Sequence, residues 1–461
     1  MSVLNNSNAI STGGAYNLES SLRFRSSASA YLSRTPASAG NRTTWTWSAW
    51  VKRGTLGTNQ MLFMCNNGTT DATFGAIDFI SDSLNISAYA TAWRTTTQVF
   101  RDPAAWYHIV VAFDTTQATA TDRVKVYVNG IQVTSFSTTN NPTQNTDYAI
   151  NQAAAHAIAQ TYGTYGYFDG YMTEVIFVDG QALTASSFGG YNSFGVWQPT
   201  QYLGSFGNNG FYLPFTNNAS STTIGYDFSP NQNNWASTGF TLTPTTSVLY
   251  DSMTDVPTLT SATASNYCVA NPLDAATGLT INDGNLKLAA SATGSKFVRS
   301  SIALPSTGAF YAEITFANAS SASIGESIGI CTAARSLTAV WNATGAYLFY
   351  ASSGTGLVSN GTTIASGLSL ISANELFQVA IDVTNSKMWI GRTNVWYNST
   401  GGTTGNPSTG ANPTFTGAFV DYFIYAGFDT ASAVTANINF GQKPFAGTVP
   451  TGFVALNTFN M

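Results

Sequence analysis

The sequence predicts an all-β protein of two antiparallel β-sandwiches joined by an irregular, aromatic-rich segment. Three observations carry that prediction. First, the stretch 106–133 contains a hairpin that fixes its own register. Asn129-Gly130 suits a two-residue type I′ turn, where both positions need φ > 0. The turn sets Val128 opposite Ile131 and Val126 opposite Val133, four apolar side chains on one face, with Tyr127 opposite Gln132 and Lys125 opposite Thr134 on the other. Second, only 8% of residues are charged, against roughly 25% in an ordinary globular chain. Ser, Thr, Asn, Gln and Gly take their place, while 29 Phe, 22 Tyr and 10 Trp are more aromatic residues than a disordered chain would hold. Third, the C-terminal part repeats the alternation: Phe310, Ala312, Ile314 and Phe316 share one face, and Phe377, Val379, Ile381 and Val383 another.

Taken in order, residues 1–20 are polar and read as a first strand or an attachment arm. A first domain follows at 21–199. Within it, 43–51 (TTWTWSAWV) alternates Trp45, Trp47 and Ala49 against Thr44, Thr46 and Ser48, a strand with one aromatic face. Short strands are expected at 61–64, 76–80 and 84–89, and a more continuously apolar one at 108–113. Residues 140–148 form an Asn/Thr-rich loop. Despite its alanines, 154–160 reads as a strand, because His156 and Ile158 alternate with small residues and no cap precedes them. In 168–189, Val175 and Phe177 face one way and Glu174 and Ile176 the other; Asp179-Gly180 turns the chain and Thr184 suits the N-cap of one helical turn. Residues 200–262 alternate turn formers with isolated aromatics (Tyr212, Phe215, Trp235, Phe240), too aromatic for a flexible linker. They are expected to pack irregularly across the first domain or between the two. The second domain spans 263–461.

Several of these phrases resemble known families. The Trp-x-His strand, the Tyr-Val-Asn-Gly hairpin and the later Phe-Asp-Gly strand with its Asp-Gly turn resemble laminin-G-like domains, which share the concanavalin A-like jelly roll. This resemblance covers about residues 15–195. The "G-x-F-Y-x-E-I-T-F", "I-G-I" and "F-x-V-A-I-D" strands and the "N-F-G-Q-x-P-F" ending resemble a SPRY-type sandwich over about 266–461. There the usual Phe-x-x-Asn-Gly is replaced by Trp389-Ile390-Gly391, so the family's binding-loop geometry does not carry over. The run Asp227–Trp235, "D-x-S-x-N-x-N-N-W", resembles a phrase recurring in tail-fibre proteins of marine bacteriophages. Fold resemblance alone implies no single function, since such sandwiches include lectins, hydrolases and adhesion modules.

The net charge of -5 and scattered basic residues argue against a nucleic-acid partner. No apolar run approaches the roughly 20 residues of a membrane span, and MSVLNNSNAISTGG lacks the features of a secretory signal. Cys65, Cys268 and Cys331 are odd in number and far apart, which favours buried thiols over a disulfide framework or a zinc site. Hydrolysis by a paired-carboxylate mechanism would need two acids close together. The chain has five glutamates (Glu19, Glu174, Glu313, Glu326, Glu375), none with an acidic neighbour two residues away. Asp78 and Asp82 would lie about 13 Å apart along a strand, too far for a retaining pair. His108 and His156 read as satisfied core or sheet-face histidines rather than bases. No catalytic residues, metal site or cofactor are therefore assigned. Some lectin sandwiches hold calcium, and Asp71, Asp78 or Asp82 would contribute here, though solvated loop carboxylates are the favoured reading.

What remains is binding. Sugars stack on aromatic rings and hydrogen-bond to amides and hydroxyls. The candidates are Tyr89 and Trp93 (ISAYATAWRTTT) and Trp396-Tyr397 (NVWYNSTGG). The function expected is that of a non-enzymatic phage virion surface protein, a tail fibre or tailspike component binding host cell-surface polysaccharide. It would contact other virion structural proteins, insert in no membrane, and assemble as a homo-oligomer, a trimer favoured. A head fibre or capsid decoration protein is the alternative, and a polysaccharide-degrading enzyme a weaker one.

Overall fold

The computed structural model describes residues 16–160, 162–163, 165–243, 249–291, 293–321, 324–352, 356–430 and 432–461. Most of the arm expected at 1–20 lies outside them. What is described of it docks: Leu18 is buried against Val256 and Ala264.

The described residues are all-β, with short 3-10 turns and no α-helix. The front sheet of the first sandwich runs from Ile131–Gln132 through Val124–Val128, Trp106–Asp114, Thr44–Arg53, Gly170–Asp179 and Ser21–Phe24 to Ser252–Met253, with Phe211–Leu213 paired to Gly170–Asp179. The facing sheet centres on Gln60–Asn66, Phe74–Ile80 and Ser83–Ala88 and includes His156–Ile158. Trp45, Trp47, Val111, Val126 and Phe177 point into the space between the sheets, as the alternation requires.

The hairpin takes the expected register, Ile131 opposite Val128 and Gln132 opposite Tyr127, with φ of 47° at Asn129 and 84° at Gly130. One member of the apolar face departs from expectation. Ile131 is 66% exposed, because its two-residue strand is the sheet's edge. Thr184 holds the N-cap position of the turn Ala185–Ser187, but its hydroxyl pairs with Ser186 Oγ and caps no backbone N–H. The segment 200–262 is more regular than expected. It supplies Phe211–Leu213 and Ser252–Met253 to the front sheet and Ala236–Thr238 to the facing one.

The C-terminal residues form a second sandwich, a seven-stranded sheet through Gly294–Ala303, Phe423–Thr430, Ile324–Cys331 and Ala346–Ala351 against a nine-stranded sheet through Val434–Asn439, Ala309–Phe316, Glu375–Asp382 and Lys387–Arg392. The two sandwiches share buried contacts: Trp50, Trp106 and Tyr171 of the first belong to the same apolar cluster as the second's core. Asp169 accepts the N–H groups of Asp283 and Gly284 at 2.8 Å, and Tyr171 donates its hydroxyl to Gly284 O at 2.6 Å. All three cysteines are buried free thiols, and no helix among the described residues is long and apolar enough to cross a membrane.

Candidate functional site

The four predicted sugar-stacking residues separate by burial. Tyr89 is 47% exposed, its ring edge-on to Phe74. Trp93 is 2% exposed and packs between Phe113 and Tyr148 in the first core. Tyr397 is likewise buried, its ring stacked on Phe349. Trp396 is half-buried over Gly391 and near Tyr311. Trp93 and Tyr397 are thus core side chains, packed on Phe113, Tyr148 and Phe349 from elsewhere in the sequence; neither can stack on a ligand.

The acidic candidates are committed elsewhere. Asp71 accepts Ala90 N–H and the Thr91 hydroxyl, tying its loop to the next turn along the sheet. Asp82 accepts from Arg53 at 2.8 Å and pairs with Arg101. Asp78 is wholly buried, accepts from Asn85 Nδ2 at 2.9 Å, and burial pushes its carboxyl up to about 7. The described residues contain no group of three or more His, Cys, Asp or Glu side chains arranged for a metal ion. His108 is a satisfied core histidine: Trp197 Nε1 donates to its Nδ1 at 3.0 Å and Ser48 Oγ lies 2.9 Å from its Nε2. His156 accepts Asn151 N–H and lies 2.9 Å from Ala154 O.

The surface aromatics that do converge lie on the outer face of the front sheet. Residues 183–206 fold over that face, where Phe188, Trp197, Tyr202 and Phe206 cover Val110, Tyr127, Ile176 and Val178. At the margin of this cover, Tyr202, Leu203, Tyr212, Phe228, Pro230 and Gln201 line a hollow of about 230 Å³. Phe228 is 51% exposed and Leu203 84%. Tyr202 is held edge-on to Phe206, with ring centres 5.0 Å apart, and donates its hydroxyl to Ser205 O at 2.9 Å.

Phe228 is held by the Asp227–Trp235 run, whose polar residues clasp the chain. The Asp227 carboxylate accepts Tyr212 N–H and Ser229 N–H at 2.8 Å, Ser229 Oγ at 2.7 Å and Asn233 N–H at 2.6 Å. Asn231 and Asn233 donate their amides to the carbonyl of Gly210 at 2.9 Å, and Trp235 anchors the end in the core against Phe211. Behind Tyr212, Glu174 sits at a bulge in its strand with φ of 53°, a left-handed conformation uncommon for a side chain of this size. Its buried carboxyl accepts the Tyr212 hydroxyl at 2.6 Å and the Tyr16 hydroxyl at 2.9 Å. Burial pushes Glu174 up to about 7, against the opposing pull of the two phenol donors. Sequence reasoning noted Tyr212 and this run, and missed Tyr202 and Phe228 as a pair. The signal available was an aromatic residue set inside a run of turn formers.

Residues 26–187 match the family model of the concanavalin A-like lectin/glucanases superfamily, of the laminin G type. The match runs from the turn after Ser21–Phe24 to the turn Ala185–Ser187 and leaves Tyr202, Tyr212 and Phe228 of the hollow outside it. No curated protein matches the chain. Among solved structures, the SPRY domain of human HERC1 is 13% identical, with 37% of this chain and 96% of that one covered and a TM-score of 0.29. A heptameric SAP-like pentraxin from Limulus polyphemus is 17% identical, covering 34% and 71%, with a TM-score of 0.27. Domain 4 of the extracellular arabinanase AbnA from Geobacillus stearothermophilus, solved with arabinotriose, is 23% identical, covering 32% and 65%, with a TM-score of 0.24. No ligand follows from likenesses of this strength. The lectin-type fold supports glycan binding as a class of function.

Proposed function

We propose that this protein is a non-enzymatic glycan-binding protein of a bacteriophage surface, a tail fibre or tailspike component that holds host polysaccharide in the Tyr202–Phe228 hollow. The observation that carries the reading is the hollow itself: the exposed Phe228 ring, the half-buried Tyr202 and Tyr212 rings and the Gln201 amide at the edge of the front sheet, with no charged side chain among its lining residues. Aromatic faces pack on the C–H face of a pyranose while amides and hydroxyls bond its rim. At about 230 Å³ the hollow is smaller than the ~300–1,000 Å³ of clefts for drug-sized ligands, a size for one sugar unit of a longer chain. A lining without a carboxylate supports the binding reading over a cutting one. The phage assignment draws its support from the Asp227–Trp235 run and from the charge-poor, hydroxyl-rich composition; assembly as a trimer in contact with other virion proteins belongs to the same proposal.

The test has two parts. Glycan-array binding by the intact protein should fall at least tenfold in Phe228→Ala and Tyr202→Ala; unchanged binding in both overturns the site. Antibody labelling of particles should decorate the tail. Labelling spread over the head would sink the tail-fibre reading and leave a decoration role.

A further inference from the structure

The second sandwich carries a recess of different chemistry. It lies at the open side of that sandwich, where the edge strand Thr362–Ser366 of one sheet comes near the short strand Phe415–Thr416 of the other. The recess has a volume of about 450 Å³, and its lining includes Ser359, Ile364, Ser399, Asn412, Phe415 and Thr416. None of the lining residues is ionisable.

The loop over it is rigid for reasons written in its own sequence. Asn398 Oδ1 accepts the N–H groups of Thr400 and Gly402 at 2.9 Å, and its Nδ2 donates to Thr404 Oγ1 at 2.9 Å. Asn412, at φ of 47°, donates its amide to Thr404 O at 3.0 Å. Beneath, Thr414 Oγ1 donates to Tyr397 O, tying the loop to the core side chain Tyr397. The Asn398 and Asn412 amides therefore shape the recess wall, and the buried Tyr397 ring anchors the loop in the core.

Such a loop loses little entropy when a ligand arrives. Ser359, Ser399 and Thr416 hydroxyls and the Asn412 carbonyl line this wall without a hydrogen-bond partner among the described residues. Ile364 offers an exposed apolar contact, and Phe415 is buried at the recess. Free hydroxyls and an amide carbonyl around an aliphatic contact, with no charge, match a ligand that carries many hydroxyls, C–H faces and no ionic group. We infer that this recess is a second glycan site, selective for neutral oligosaccharides. It does not depend on the Tyr202–Phe228 hollow. Two sites on one rigid chain would engage one polysaccharide strand or two neighbouring strands, so that individually weak contacts add through effective concentration.

The experiment is calorimetric titration of the intact protein with malto-, cello- and laminarihexaose, and with an oligogalacturonate as the charged control. Phe228→Ala removes the first hollow. In that background at least one neutral hexaose should still bind, and Ser399→Trp or Thr416→Trp should each weaken it at least tenfold. Both positions are exposed, so the variants should keep the parent melting temperature. The oligogalacturonate should bind at least tenfold more weakly than the neutral ligand. No hexaose binding in the Phe228→Ala protein, binding that survives both tryptophans, or equal binding of the charged control would each overturn the inference. Loss of binding in Phe228→Ala with none left for the recess would refute the second site while supporting the first.

Discussion

The Lys52 ammonium lies 2.7 Å from the Asp255 carboxylate, with both side chains fully buried. Lys52 lies near the end of a central strand of the first sandwich, and its other donors reach Asn266 Oδ1 and Tyr267 O, both at 2.8 Å. Asp255 also accepts the Trp106 indole N–H at 2.9 Å. The pair is fully satisfied where the connecting segment meets the first sandwich and the second begins. Removing one partner strands a buried charge, so Asp255→Ala should cost ~3–5 kcal/mol in chemical denaturation. The double change Lys52→Met with Asp255→Leu should recover most of that. A loss below about 1 kcal/mol in Asp255→Ala would mean that water already reaches the pair.

The pairing of Val128 with Ile131 was legible in the sequence because turn chemistry and alternation agreed at Asn129-Gly130. The burial of Trp45 and Trp47 was legible for the same reason of period. The site was not legible in this way. Whether Trp93 is a platform or a core side chain depends on Phe113 and Tyr148, which no local pattern brings together. Phe228 posed the opposite problem. Its polar neighbours Asp227, Asn231 and Asn233 are turn formers in the sequence, with no pattern to show that they spend their hydrogen bonds on backbone and so present the ring outward. The two strands that pair Ser252–Met253 and Ala236–Thr238 into the first sandwich were hidden because they are only two and three residues long.

His108 makes a prediction about acid. Trp197 donates to its Nδ1, which fixes the proton on Nε2, facing Ser48. Burial drives its pKa down to about 3, and that of His156 to about 4. Below an unfolded value of ~6.5 the unfolded chain binds these protons and the folded chain does not. Stability contributed by the neutral rings is therefore complete above pH ~6.5 and is lost as pH falls toward those lower values. Nitrogen NMR should find His108 Nδ1 unprotonated down to about pH 4.5. Trp197→Phe should cost ~1–3 kcal/mol by leaving that acceptor unpaired; an unchanged melting temperature would show that the contact contributes nothing.

Glu326 makes the converse prediction. It shares the inward face of its strand with Ile328 and Ile330, and neither carboxyl oxygen has a hydrogen-bond partner among the described residues. Burial, with a smaller contribution from Glu375, raises its pKa to about 8. Between the unfolded value near ~4.5 and this raised one, the folded state holds a proton that the unfolded state releases. Stability thus falls as pH rises through that window. Glu326→Gln keeps the shape and cannot ionise. It should match the parent at pH 5 and exceed it by ~1–3 kcal/mol at pH 9. Parallel stability profiles for the two proteins would show that Glu326 finds a partner in solution.

Asp227 tests how the hollow is built. Its carboxylate is not itself part of the lining and acts by gathering Tyr212 N–H, Ser229 N–H and Asn233 N–H. Tyr212 and Phe228, both in the lining and joined by the Phe228 N–H to the Tyr212 carbonyl, are set by these bonds. Asp227→Ala would leave three N–H donors and the Ser229 hydroxyl without this acceptor and free the loop, at a cost of ~2–4 kcal/mol. Asp227→Asn keeps one oxygen able to accept two of them. If Asp227 is a positioning residue, alanine should weaken glycan binding at least tenfold while asparagine restores much of it, and the folded sheet content should be the same in both. Equal binding by the two variants would separate the loop's geometry from recognition, and would move the ligand toward the Tyr202 and Leu203 side of the hollow.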